Sequence, residues 1–446
     1  MTPHASAIHL QLSLKPQSGT QLAKTLGLSQ PTIARALKEM RNDLIQLGGQ
    51  RSSQYHLVDP SRGFHSFPVF SINPLGQIIE RGVLTPVRPE GFVFTSTQGE
   101  KTYTEGIPWW LYDHRPQGFL GRAYAQRWSS PLGLPQALKD WSDSHSIQAM
   151  LAHGHDAIGH WVLGVTCKDQ VLGASTLNAI ADSEKPRAYT QLAIEALHGE
   201  SPGSIAGGEQ PKFTAYSEGV HGPHHVLVKF TERQDNAISQ RWRDLLLAEH
   251  LALETLHRGG LASSKSKIYN TKTQRFLEIV RFDRVGALGR RGVVSLEALD
   301  AQFVGRASEP WPVIAQSLQN QNIIGPEQVQ QVALLWAFGS LIGNSDMHNG
   351  NLSFLIDEGP PFALAPSYDM TPMSFAPTSA GGLPERIHPV SFQSAVGHPV
   401  WRQAKALAEN YLSLLKRHEF SKEFEPCLLA TQAHIEAMGR IIDRLA

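Results

Sequence analysis

Only two of the 446 residues are cysteine, Cys167 and Cys427. Thiols so far apart, in no metal or redox spacing, predict a reducing compartment and two buried side chains rather than a disulfide framework. Excess charge is also missing. Lys+Arg and Asp+Glu both number 40, so nucleic-acid binding would have to come from a local patch. No apolar run is long enough for a bilayer: the most apolar stretch, Val329 to Ile342, contains Gly339 and Ser340 and reads as a buried helix. Met1 to Leu14 lacks the basic start and apolar core of a signal peptide. These absences predict a cytoplasmic protein with no membrane partner. What is present is globular. At 41% hydrophobic and 18% charged the chain is not disordered, and its length predicts two to four compact units.

The first sixty residues carry the local charge that the whole lacks. Residues 1–58 hold six basic residues (Lys15, Lys24, Arg35, Lys38, Arg41, Arg51) against Glu39 and Asp43. Ser18 to Gly27 reads as a short helix with Leu22 and Leu26 one turn apart, and Gly27 permits a sharp turn. Ser29 is an N-cap with Pro31 in the first turn of the next helix, along which Ile33, Leu37, Met40 and Leu44 form a stripe. Gly48-Gly49 followed by Arg51 to Val58 supplies a hairpin wing. Two helices joined in this way resemble a helix-turn-helix that binds double-stranded DNA, with Thr32 and Arg35 toward the bases, Lys38 and Arg51 toward phosphates, and Gln30 on the same DNA-binding surface. A protein-interaction module with a solvated face is the alternative.

Beyond Asp59 the pattern changes. Phe67 to Thr85 alternates about Pro74-Leu75-Gly76 as a strand pair does, and Pro135 to Leu151 reads as a helix opened by its proline. Residues 200–285 combine a glycine loop with short β-rich runs, and after about residue 288 the chain turns helical. Thr378 to Pro399, rich in Gly, Pro and Ser, reads as a surface loop.

The densest polar signal is Gly343 to Phe354, GNSDMHNGNLSF. Asp346 and Asn351 stand five residues apart, the interval of a kinase catalytic loop, where Asp accepts the attacking hydroxyl's proton and Asn helps to hold magnesium. Asp369, after the apolar run FALAP, supplies a second carboxylate for the metal. Upstream, Gly203 to Lys212 is rich in small residues, including Ala206, Gly207 and Gly208, that let backbone N–H groups approach a triphosphate, although no Walker pattern is present. Lys229, among apolar neighbours in VLVKFT, is placed to hold phosphates, and Arg281 to Arg284 falls where a hinge between lobes belongs. Each piece alone is weak, and their order along the chain carries the reading.

At SIAGGEQPKFTA, VKF, RFDR, LIGNSDMHNGNLSF and SYDMTP the chain resembles the HipA family of serine/threonine kinase toxins, and most of all its YjjJ branch with an N-terminal helix-turn-helix. The resemblance implies an α+β architecture: a winged helix-turn-helix (1–60), a HipA N-terminal subdomain (61–198), a β-rich kinase N-lobe core (199–287) and a helical C-lobe (288–446). It implies ATP and Mg2+ as cofactors, with Asp346 as base, His348 near the phosphates, Asn351 and Asp369 on the metal, Lys229 on phosphates, and Val280, Arg281 and Phe282 at the adenine. Ser204 matches the serine that such kinases autophosphorylate. The substrate implied is a protein hydroxyl, in characterised relatives an aminoacyl-tRNA synthetase, and an antitoxin is an implied partner.

Two departures stand out: Val280 where the family often has Glu, and Ala248 before Glu249, the nearest candidate for the carboxylate that pairs with Lys229. His145, His153, His155 and His160 lack the regular spacing of a zinc site. Two rival functions remain at this level. One is a DNA-binding regulator whose kinase-like half senses a nucleotide or small ligand, and the other is a small-molecule kinase.

Overall fold

The computed structural model describes residues 1–49, 53–173, 178–198 and 210–444. Its chain opens with a helix not anticipated from the sequence, α1 (Pro3–Leu14), capped by the Thr2 side chain accepting from the Ala5 N–H. Ala5, Ile8 and Leu12 bury one face at helical spacing, while Leu10 and Leu14 stay exposed and blur the stripe. There follow β1 (Gln17–Ser18), α2 (Gly19–Leu26) and α3 (Gln30–Glu39). Ser18 and Gln21 form a capping box, Gly27 ends α2 in the left-handed region at φ 65°, and Ser29 caps α3. Leu44 does not prolong the helical stripe. The turn formers Asn42 and Asp43 intervene, and Leu44 opens β2 (Leu44–Leu47), which pairs with β3 (Gln54–Leu57). All three helices and Leu57 share one core.

The second unit is an antiparallel sheet in the order β7-β6-β5-β4-β8, built from β4 (Phe67–Ile72), β5 (Ile78–Val87), β6 (Gly91–Ser96), β7 (Lys101–Glu105) and β8 (Trp161–Leu163). Its first hairpin turns where expected, with Ile72 opposite Ile78 and Gly76 at φ 79°. Against the sheet pack α5 (Asp143–His153) and α6 (Gly164–Gly173), and α4 (Gly118–Leu132) packs on α5 through Tyr124 and Ala149. α5 does not begin at Pro135. Trp141 Nε1 donates to the Pro135 carbonyl at 2.7 Å and folds that segment back, and Ser142 caps the helix in a box with His145.

A third unit holds α7 (Lys185–Leu197), β9 (Lys212–Ser217), β10 (His224–Phe230), α8 (Ala237–Arg258), β11 (Ser266–Asn270) and β12 (Arg275–Val280), with strand order β11-β12-β10-β9. Strand alternation divides its side chains. Phe213, Val226, Val228, Phe230 and Phe276 pack against Tyr189 of α7, and Leu277 and Ile279 against Leu246 of α8. Lys229 therefore projects on the α8 side, and this placement builds the site described below.

Two short strands, β13 (Arg284–Val285) and β14 (Gly289–Arg290), lead to β15 (Val293–Ser295), which joins β16 (Ser353–Leu355) and β17 (Ala363–Leu364) in a small sheet. The rest is helical: α9 (Leu296–Phe303), α10 (Trp311–Asn320), α11 (Pro326–Ile342), α12 (His398–Leu415) and α13 (Glu425–Ile442). α11 contains the apolar run Val329–Ile342 and lies in the largest core, against Trp311 and Trp401. Among the described residues no helix is long and apolar enough to cross a membrane.

A buried ion network ties the second unit to the third. Arg281 meets Asp156 at 2.9 Å and Asp283 at 2.9 Å, Arg284 contacts the same two carboxylates, and Asp283 accepts from the Gly159 N–H at 2.9 Å. Burial alone would raise the Asp156 and Asp283 carboxyls, but the two guanidiniums outweigh it and hold both below the usual range.

Beside this network lies His114, which is buried and has neither ring nitrogen partnered among the described residues. Burial pushes its pKa down to about 3, with smaller contributions from His160 and Arg290. The folded chain keeps it neutral, whereas the unfolded chain binds a proton near pH 6.5. Its contribution to stability is therefore complete above pH 6.5 and is lost as pH falls toward 3. In urea titrations across that window, His114→Phe should reduce the fall in stability by up to about 1.4 kcal/mol per pH unit. An unchanged slope would show that His114 is not held neutral.

Candidate active site

Lys229 and Lys212 face each other across the β9–β10 pair, and both are buried. The Lys229 ammonium meets Glu249 of α8 at 2.7 and 2.9 Å and Asp369 Oδ1 at 2.5 Å. Thr371 donates to the same Glu249 carboxylate at 2.8 Å. Burial alone would lower the Lys229 pKa, but the Asp369 and Glu249 carboxylates outweigh it and raise it above the ordinary value. Asp369 goes the other way: burial works against its charge, and Lys229, then Lys212, hold it ionised. For fully buried Glu249 desolvation prevails and its pKa rises. A cation thus bridges two carboxylates from different elements, and Glu249 is the acid whose position the sequence left open.

The polar loop is fixed at both ends. Gly343 ends α11 at φ 80°, and the buried Asn344 then accepts from the Asp346 N–H at 3.0 Å while its amide donates to the Asp369 carbonyl at 3.4 Å. Asn351 donates to the Asp346 carbonyl at 2.8 Å, and Trp311 Nε1 to the His348 carbonyl at 3.2 Å. Asp369 adopts φ 55°, a left-handed conformation that costs about 1 kcal/mol and, outside glycine, is met most often in Asp and Asn. The tie from Asn344 helps to hold it there.

Lys212, Lys229, His348, Asn351, Tyr368 and Asp369 line one cavity, closed on another side by Val280, Arg281 and Phe282. Asp346 is not part of that wall. Its side chain is exposed, and it is joined to the wall through Asn351. Arg281 borders the cavity, but its guanidinium is engaged by Asp156 and Asp283 and its N–H donates to the His225 carbonyl at 2.9 Å. Ser204, Ala206, Gly207, Gly208 and Arg51 lie outside the described residues. The exposed face of α3 carries Gln30, Arg35 and Lys38, with Thr32 half-buried beside them. Glu39, the acid of that helix, is held at its far end by Thr2.

Residues 64–172 match the family described as YjjJ-like toxin, middle domain, and residues 204–435 match the HipA-like C-terminal domain. The chain is 39% identical over 404 residues to "Toxin YjjJ" of Escherichia coli (strain K12), covering 90% of each sequence. The chain belongs to the YjjJ-like, HipA-related toxin family. A chain from the Shewanella oneidensis MR-1 complex of HipA, HipB and operator DNA superposes with a TM-score of 0.51 at 13% identity, over 84% of this chain and 99% of that one, a likeness of fold.

Within this YjjJ-like chain the cavity also has walls that sequence reasoning missed. Asp113, Gln117 and Asp156 reach it from the second unit, and Glu297 from α9. Asp113 accepts from the Ser295 N–H at 2.6 Å and hydroxyl at 2.7 Å, yet burial still pushes its pKa up to about 6. Tyr112 donates to Glu297 at 2.7 Å. No local pattern marks these residues, because segments more than a hundred positions apart meet only in the fold. Lys212 was closer to legible: it stands at the start of the alternating run KFTAYS, with its side chain on the face shared by Lys229.

Proposed function

We propose that the chain is an ATP- and magnesium-dependent serine/threonine protein kinase with a fused DNA-binding domain. One observation carries the reading: Lys229, Asn351 and Asp369 border a single cavity, and Asn351 and Asn344 tie that wall to the loop of Asp346. In this reading Lys229 and Lys212 hold phosphate oxygens, with His348 beside them. The Val280–Phe282 segment takes the adenine. Asp346 orients the acceptor hydroxyl and takes its proton as the new oxygen–phosphorus bond forms and the bond to the β-phosphate breaks.

Oxygen donors on Asp369 and Asn351 suit magnesium. When bound, magnesium would neutralise charge on the transferring phosphate.

The protein substrate is proposed by family resemblance to be translation-related, such as an aminoacyl-tRNA synthetase, with Ser204 as an autophosphorylation site and an antitoxin as a further partner. The expected experiment uses labelled ATP and Mg2+ with the full chain and a cell extract. The wild type should label itself and a protein, and Asp346→Asn should lose about 10²-fold or more of the transfer while still binding ATP. Binding without any transfer would favour a nucleotide-sensing regulator, and label on metabolites a small-molecule kinase.

For the first sixty residues the proposal is a winged helix-turn-helix that holds the enzyme on double-stranded DNA. Helix α3, entered from the Gly27 turn, exposes Gln30, Arg35 and Lys38 together, with Arg51 assigned to the wing. The Shewanella HipA chain comes from a complex with HipB and operator DNA; here the DNA contact would be built into the same chain. Lys38→Ala in the full chain should weaken duplex binding across sequences and reduce the slope of log Kd against log salt by about one. A salt-independent interaction, or none, would contradict the assignment.

A further inference from the structure

The ion network between the second unit and the β13–β14 hairpin holds a charge that its own residues leave unmatched. Asp156 and Asp283 supply two carboxylates, and Arg281 and Arg284 contact both of them. Arg290 adds a third guanidinium. It stands opposite Arg284 in the register of the hairpin, where like charges destabilise a strand pair. Arg290 is only 6% exposed. Its Nη2 donates to the His155 carbonyl, and its Nη1 has no hydrogen-bond partner among the described residues. Burial, and after it the Arg284 guanidinium, lower the Arg290 pKa well below the ordinary value. A guanidinium nevertheless keeps its proton in proteins, so the buried charge demands an opposite one.

The groups around Arg290 do not supply it. The Cys167 thiol is close enough to feel the guanidinium, but burial pushes its pKa up to about 11 and it stays protonated. His114 lies so near Gly159 that a β-carbon there would stand 3.5 Å from its ring, and the Gly159 carbonyl accepts from Arg284 at 3.1 Å. Burial, then the nearby His160, Arg290 and Arg284, keep His114 neutral. A neutral imidazole still carries one N–H, and neither His114 nitrogen has a partner among the described residues. His155 differs, because the unpartnered amide oxygen of Gln170 lies beside its ring. At Arg290 and His114 the joint thus presents buried N–H donors, one excess positive charge and no acceptor.

We propose that a small monovalent anion of chloride size binds in this joint, accepting from Arg290 Nη1 and from the ring N–H of His114. A water molecule could accept the same hydrogen bonds but would leave the charge unmatched. A doubly charged anion such as phosphate would replace an excess positive charge with an excess negative one. Neither Arg290 nor His114 lines the nucleotide cavity, although Arg281 of the same network borders it. The anion therefore braces the two units behind the cavity without entering it.

Two measurements on the full chain test the site. In crystals of the wild type grown in sodium bromide, an anomalous peak should lie in hydrogen-bonding contact with Arg290 Nη1 and the His114 ring. In solution at constant ionic strength, replacing sodium gluconate by sodium chloride should raise the wild-type melting temperature by about 2 °C per tenfold chloride once the site is half filled. Arg290→Met should show no such dependence. A peak that is absent at Arg290, or density there with no anomalous signal, assigns the position to water and overturns the proposal. Equal chloride dependence in wild type and Arg290→Met overturns it as well. The crystal measurement uses the wild type alone, so it decides the matter even if Arg290→Met fails to fold.

Discussion

A lysine ammonium removed from water is tolerable only if opposite charge and hydrogen-bond acceptors meet it there, because desolvation would otherwise cost several kcal/mol. In this YjjJ-like chain Lys229 meets that demand with two carboxylates, Glu249 from α8 and Asp369 from the segment after β17. The pair thereby draws the sheet, the long helix and the polar loops to one point. The supporting contacts follow from it: Thr371 satisfies Glu249, and Asn344 holds the left-handed backbone of Asp369 and the start of the Asp346 loop. Removing one member would leave the others buried and unmatched, so the constellation acts as a unit.

What the sequence made legible is what lies close together along the chain. Asp346 and Asn351 share a loop of a dozen residues between an apolar helix and a strand, and Asp369 follows a second short apolar run, so spacing alone brought out the three. Lys229 was visible because a charged residue interrupts VLV and FT. Glu249 was only a candidate, since its role depends on which face of α8 meets which face of the sheet, a matter of packing. The cavity walls supplied by Asp113, Asp156 and Glu297 had no local signal, as tertiary folding alone brings them there. Helix α1 escaped notice for a different reason: its buried positions are Ala5, Ile8 and Leu12, while the more conspicuous Leu10 and Leu14 face outward. Short polar caps also outranked proline as a start signal, which moved α5 from Pro135 to Ser142.

The arrangement joins the units as well as building the cavity. Arg281 and Arg284, at the end of the four-stranded sheet, are held by Asp156 from the second unit, and the same stretch of chain borders the cavity. The likeness to a HipA chain at a TM-score of 0.51 shows the fold shared across the greater part of the molecule, while the 39% identity to Toxin YjjJ places the chain within its branch. Its N-terminal unit, with a core of its own, is where the proposed DNA contact would be made.

Calorimetric titration of the full chain with ATP, in the presence and absence of Mg2+, addresses the role of the buried cluster most directly. If Lys229 and Asp369 frame a metal–nucleotide site, wild type binds ATP more tightly with Mg2+, and Asp369→Asn removes that difference while remaining folded. Equal affinity with and without Mg2+ in the wild type, or an undiminished Mg2+ effect in Asp369→Asn, would contradict it.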